Sequence, residues 1–274
     1  MTALSNEIRS GVGFRHVQLF ALAADGYPNA TDTSEYAGLR ISGARALTIN
    51  DPEPQQISHL GDDRVFALDV LPPTEALSGE LVVGKVNDVV AQVIGDDLAV
   101  SVGEAQILGI GTDNRGDENQ VALLAYRQTL DTDPDSTTFG SRRWEFRLFP
   151  KTFVIERESG FQSAPEEKMY TIRPQFVTKH LWGTAFAVGT EGFEQAQGFR
   201  GISEYKPRLA SFLGDSAETD FAFDTDFPAQ STDKIAVWVS GVLTTASITK
   251  ATTGVQWTTA PITDAEIVIF YEHT

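Results

Sequence analysis

The residues best suited to chemistry in this 274-residue chain are four histidines, two acidic loops and one glycine-containing turn. His16, His59, His180 and His273 are scattered, with no His-x-x-x-His or His-Glu-x-x-His spacing. A zinc site needs several ligands preorganised around the ion. This spacing offers none, so each histidine reads as a surface or packing residue. Asp131-Thr132-Asp133-Pro134-Asp135 begins like a calcium loop, in which alternate carboxylates supply oxygen ligands. The sixth position of such a loop is a Gly that permits a sharp turn, and the twelfth is a bidentate Glu. Here they are Ser136 and Arg142, and Pro134 restricts the backbone further. A solvated loop is the better reading, and Asp113-Asn114-Arg115-Gly116-Asp117-Glu118 reads the same way. Gly109-Ile110-Gly111-Thr112-Asp113-Asn114 opens like a dinucleotide-binding turn, but the third glycine and the surrounding βαβ unit are missing. There is no Gly-x-Ser-x-Gly nucleophile elbow and no phosphate-binding loop. With no cysteine, a disulfide framework, a thiolate zinc cluster and a thiol nucleophile are all excluded. The 38 acidic residues contain many potential carboxylate pairs for glycoside cleavage, but no pattern selects one. The expectation is no catalytic residue, no cofactor and no metal site.

The elements that would position any such group are mostly strands. Val17 to Leu22 reads as a strand stopped by the turn residues Asp25-Gly26-Tyr27-Pro28-Asn29. Gly43 to Ile49 alternates and is broken by Asn50-Asp51-Pro52-Glu53-Pro54. Arg64 to Leu71 alternates again and ends at Pro72-Pro73. From Glu80 to Ile94, Leu81, Val82, Lys85, Val86, Val89, Val90, Val93 and Ile94 fall on one face at helical spacing, with Gly95 as a stop. One helix is predicted there. Val121 to Tyr126 is an apolar strand between two polar loops, Gly111 to Asn119 and Asp131 to Thr138. Trp144 to Glu158 and Lys168 to His180 are long half-polar strands interrupted by Pro150 and Pro174. A proline inside a strand implies an edge, a bulge or a hairpin crossing. Long half-polar strands with open edges invite pairing with another chain.

At Tyr205-Lys206-Pro207-Arg208 the texture changes to shorter strands, more Thr and Ser, and closer turn signals. The predicted organisation is therefore a domain over 1–205 and a small β-sandwich over 206–274, short for its class. A length of 274 residues accommodates two domains, and 41% hydrophobic residues are enough for a real core. With 21 basic and 38 acidic residues the formal charge is −17, spread along the chain, which argues against a protein that grips nucleic-acid phosphates. Met1 to Ser10 has no apolar core of signal-peptide length, and no uncharged run is long enough to span a bilayer. No membrane insertion is expected.

The C-terminal region has the most recognisable pattern. Phe212-Leu213-Gly214-Asp215-Ser216 leads into Thr219 to Phe223, then Ile235-Ala236-Val237-Trp238-Val239-Ser240-Gly241-Val242-Leu243. It closes with Val255 to Pro261 and Ala265 to Tyr271. Ile267, Ile269 and Tyr271 would form one face, and Val268 and Phe270 the other. Ser240-Gly241 supplies a tight turn. This pattern resembles the small Ig-like β-sandwich modules appended to bacteriophage tail and fibre proteins. It departs from them at Asp264-Ala265, where Gly is common, and at Ser240, where Asn is usual.

The order of elements before this module is similar to that of the tail tube (major tail) proteins of long-tailed phages. The resemblance implies a mainly β fold, with a tail-tube-type β-barrel or sandwich, long strands and one helix packed outside. It implies homo-hexameric rings that stack into a tube through which DNA is ejected. The long strands would then find partners in neighbouring subunits. Polar loops such as Asp51 to Asp63 and Asp131 to Thr138 would touch adjacent rings. Other partners would be a tape measure protein, tail terminator and tip proteins, and DNA that passes without specific binding. The location would be the virion tail, assembled in the host cytoplasm. The alternative is a tail tip, baseplate or fibre protein that binds a host-surface carbohydrate. Trp182, Trp238 and Trp257 are the aromatics that such a role would use, with core packing as their competing role. A glycan hydrolase is the least favoured reading.

Overall fold

A computed structural model describes residues 9–23, 25–41, 43–50, 55–61, 64–71, 77–84, 98–102, 105–109, 120–132, 134–135, 139–156, 168–175 and 197–274. Their architecture is almost entirely antiparallel β.

The largest sheet is built on β1 (Arg9–Ala21), β2 (Leu39–Ile41), β3 (Ala44–Asn50), β6 (Ser78–Val83), β9 (Gln120–Asp131), β10 (Arg142–Glu156), β11 (Lys168–Pro174) and β12 (Phe199–Ser203). The strand order is β2-β1-β9-β10-β11-β6-β3, with β12 added beside β10. The two ends of this order, β2 and β3, lie on one stretch of chain turned at Gly43, whose φ is +88°. The Gly84 amide donates to the Gly43 carbonyl at 2.9 Å. The sheet therefore curls back on itself as a six-stranded barrel. Its interior holds Val17 and Leu19, Ile41, Leu81 and Val83, Val121, Leu123 and Ala125, Phe149 and Val154, and Tyr170 and Ile172. Ala44, Leu47 and Ile49 of β3 pack against this core, so every strand of the ring contributes to it.

β9 shows why an apolar run becomes a strand here. Val121 to Tyr126 are all buried. Val121, Leu123 and Ala125 face the barrel interior, while Ala122, Leu124 and Tyr126 face a second core outside it. A strand covered on both faces reads as a continuous hydrophobic run. Pro150 sits at a register shift between Phe149 and Thr152 in the pairing of β10 with β9. There β10 exchanges its other neighbour: Trp144 to Leu148 pair with β12, and Thr152 to Glu156 with β11. Pro174 is the last residue of β11.

Beyond Glu204 the strands pair among themselves. One sheet is β13 (Lys206–Leu213), β19 (Glu266–His273), β15 (Ile235–Val239) and β16 (Val242–Leu243), in that order. The other is β14 (Asp220–Ala222), β18 (Gly254–Trp257) and β17 (Ile248–Ala251). Between them Ala210, Phe212, Ile235, Val237, Ile267, Ile269 and Tyr271 meet Phe221, Phe223, Val255 and Trp257. Ser240 and Gly241 form the turn between β15 and β16, with φ of +46° and +79°. Positive φ at both central residues is the twist that a two-residue hairpin requires.

The four-stranded sheet is buried on its other face as well. Leu209, Trp238, Val268 and Phe270 join Phe20, Leu124, Tyr126, Phe146, Leu148 and Phe199 in one cluster. The barrel wall, the four-stranded sheet and the three-stranded sheet are thus successive layers with continuous packing. The chain between Leu22 and Gly38 fastens the first two. The Tyr36 and Ser211 amides each donate to the other's carbonyl, at 2.8 and 2.9 Å.

Two expectations are corrected. The helix predicted from Glu80 does not start there: Ser78–Val83 is a strand in which Gly79, Leu81 and Val83 are buried and the residues between are half-buried. Leu81, Val82 and Val83 satisfy a two-residue period as well as a helical one, and pairing with β3 and β11 decides between them. Lys85 to Ile94 lie outside the described residues, among which the one helical element is a 3-10 turn, Thr232–Lys234. The polar segment Asp51 to Asp63 is not a loop throughout. β4 (Gln55–Gly61) pairs with β5 (Arg64–Leu71), with Gly61 opposite Arg64. The long strand β10 pairs within the chain with β9 on one side and with β12 and then β11 on the other. A second hairpin, β7 (Leu98–Val102) with β8 (Ala105–Gly109), completes the described strands.

Candidate functional site

The outward faces of β1, β9 and β10 carry apolar residues under the four-stranded sheet and polar residues beyond it. That polar continuation is one wall of a cleft of about 680 Å³ between barrel and sandwich. β1 supplies His16 and Gln18, β9 supplies Tyr126 and Gln128, and β10 supplies Arg142 and Trp144. Arg40 arrives from β2, opposite Gln18 in the strand register. The facing wall is Lys206, Pro207 and Arg208 of β13, Asp226 and Phe227 of the connection that follows β14, and His273 and Thr274 at the end of β19.

Four cationic side chains and one aspartate line this cleft on a chain whose formal charge is −17. Their commitments differ. Arg208 is held: its guanidinium is 3.2 Å from Glu35 and 3.6 Å from Asp224, and it lies 4.0 Å over the Phe227 ring. The Tyr271 hydroxyl donates to Glu35 at 3.4 Å, and the Asp224 amide donates to the same carboxylate. Burial and the neighbouring Glu35 push the Tyr271 phenol well above its ordinary range. Lys206 lies over the Trp144 ring at 5.9 Å. Arg40 and Arg142 are exposed and form no ion pair among the described residues.

The two histidines of the cleft are shifted first by burial and then by the neighbouring cations. Burial lowers His16 to about 3, with Arg40 adding to the effect, and lowers His273 to about 4, with Lys206 and Arg208 adding. Both rings are therefore neutral at pH 7. His16 stacks on Tyr126 at 4.9 Å, and its Nδ1 is buried without a hydrogen-bond partner. His273 meets Phe227 edge to face at 5.3 Å. Gln18 is committed to structure, donating to the carbonyls of Ala37 and Leu209.

A second polar cluster occupies one end of the barrel. The buried Glu145 carboxylate accepts from Arg127 at 2.7 Å and pairs with Arg200 at 2.8 Å. Arg147 lies beside it around a space of about 90 Å³. This carboxylate is fully engaged and acts as an ionic tie between β9, β10 and β12.

Of the residues weighed in the sequence, the structure brings His16 and His273 together at one cleft. His59 lies in β4 opposite Ala67, and His180 is outside the described residues. Asp131 is a buried strand residue whose amide donates to Ser141 and whose carbonyl accepts from Gly140, so the acidic segment there is a hairpin end. Asp133 and Ser136 to Thr138 are outside the described residues, as are Ile110 to Asn119 with the glycine turn and second acidic loop. Trp238 is buried between the barrel wall and the four-stranded sheet, Trp257 is buried between the two sheets of the sandwich, and Trp182 is outside the described residues. Among the described residues, no group of three or more His, Asp or Glu is placed to hold a metal, and no helix is long and apolar enough to cross a membrane. The cleft itself is not legible in the sequence, because its cations come from three strands far apart in the chain, β2, β10 and β13. The sequence matches no protein-family model, and a search of curated proteins returns no match.

Proposed function

We propose that the chain is a structural subunit of a long-tailed phage tail, forming stacked hexameric rings of the tail tube through which DNA is ejected. The observation that carries this reading is the layered, closed β body with an edge left over. β12 pairs with β10 on one side and with no other strand among the described residues, and it displays the exposed Ile202. An open edge beside a closed barrel supports strand addition by a second copy. The Ig-like sandwich then decorates the tube. The acidic balance fits a conduit: six copies carry a formal charge of about −100, which disfavours adhesion of passing DNA. Tape measure, terminator and tip proteins are the partners this reading requires.

Negative-stain electron microscopy of the purified protein, with light scattering on the eluting peak, tests it. Six-fold rings or hollow tubes are expected. A compact trimer would replace the tube with the fibre reading.

A further inference from the structure

We propose that the cleft between barrel and sandwich is a binding site for a small ligand bearing an oxyanion group: phosphate, sulfate or carboxylate. The site is independent of how the chain assembles. Its two exposed guanidinium groups, Arg40 and Arg142, have no ion-pair partner among the described residues, and guanidinium presents the planar fork that matches an oxyanion. Lys206 adds a third cation without an ion pair among the described residues, whereas Arg208 is balanced by Glu35 and Asp224; Asp226 is the carboxylate side chain in the lining. On a chain of charge −17, three such cations facing one space of about 680 Å³ run against the overall balance. The two histidines, lowered first by burial, also feel Arg40, Lys206 and Arg208 through space. Neutral imidazole adds an N–H donor without adding charge. The half-buried Trp144 gives the wall a flat apolar surface beside the cations, on which the body of the ligand packs.

The test is titration of the full chain with inorganic sulfate, inorganic phosphate and glucuronate, with glucose as the neutral control. Binding is read by calorimetry and by the ring resonances of His16 and His273. Saturable binding of at least one anion with Kd tighter than about 1 mM is expected, with both histidines shifting and glucose silent. Arg40→Glu with Arg142→Glu should weaken that binding at least tenfold while leaving the melting temperature in place. Arg173→Glu, on the barrel strand β11 and away from the cleft, should leave it unchanged. Equal affinity for inorganic anions and glucuronate identifies a free-anion site. A tenfold preference for glucuronate that disappears in Trp144→Ala identifies an acidic sugar. Absence of saturable binding to the unaltered protein, or binding that survives the double charge reversal, overturns the proposal. Neither result depends on whether rings form, so it stands or falls separately from the tube.

Discussion

At the scale of single residues, Glu35 carries more than its position in a connecting segment implies. It is nearly buried and answers Arg208, Tyr271 and the Asp224 amide at once. Replacing one member of a buried ion pair strands the other charge. Glu35→Gln should therefore destabilise the protein by about 3 kcal/mol, read from the urea unfolding midpoint. The two cleft histidines predict a pH dependence. Their folded values, about 3 for His16 and about 4 for His273, lie below the ordinary value of 6.5. The unfolded chain therefore binds these protons first as pH falls. The stability they contribute is complete above pH 6.5 and is lost as pH drops towards 4. The loss should amount to roughly 3 kcal/mol, measured as falling unfolding midpoints between pH 7 and 4.5. His273→Gln should flatten that slope. None of this is legible in the sequence: His16 and His273 stand near opposite ends of the chain, and only the packing of the four-stranded sheet on the barrel wall brings both to one cleft.

At the scale of elements, much of the structure follows from alternation and turn chemistry. The faces read for β19 are those observed, Ile267, Ile269 and Tyr271 in one core and Val268 and Phe270 in the other. The Ser240-Gly241 turn is as its residues require. The segment from Glu80 was misread because consecutive β-branched residues fit both periods, and only tertiary pairing decides. Two substitutions test the observed elements. Gly241→Ala places a Cβ at a φ of +79° and should cost about 1 kcal/mol in stability. Gly201→Val should cost more, about 2 kcal/mol, since a Cβ there would stand 2.4 Å from the Phe146 ring. Its signature is faster hydrogen exchange confined first to Arg200 to Ser203, the strand whose edge the tube reading uses.

At the scale of the whole molecule, the boundary read at Tyr205 marks a change of strand partners, while the packing runs straight across it. Leu209, Trp238, Val268 and Phe270 share a cluster with Phe20, Leu124 and Phe146. The composition change that marks the boundary says nothing of this, because both faces of β13, β15 and β19 are apolar for different reasons. The structure predicts one cooperative unfolding transition for barrel and sandwich. Calorimetric and van't Hoff enthalpies should agree. Trp238→Ala should lower that single transition by about 4 kcal/mol rather than splitting it. A fragment ending at Tyr205 should expose the Phe20, Leu124 and Phe146 face, bind hydrophobic dye and self-associate.

The placement of β19 has a mechanical meaning. It lies between β13 and β15, in register with the first from Glu266 to His273 and with the second from Ile267 to Tyr271. A pull on Thr274 along this strand loads both ladders in shear, so their hydrogen bonds resist together rather than peeling apart one by one. The same pull is transmitted through Val268 and Phe270 into the barrel wall. A chain held in this way passes tension from β19 in the middle layer to the barrel without a compliant joint between them.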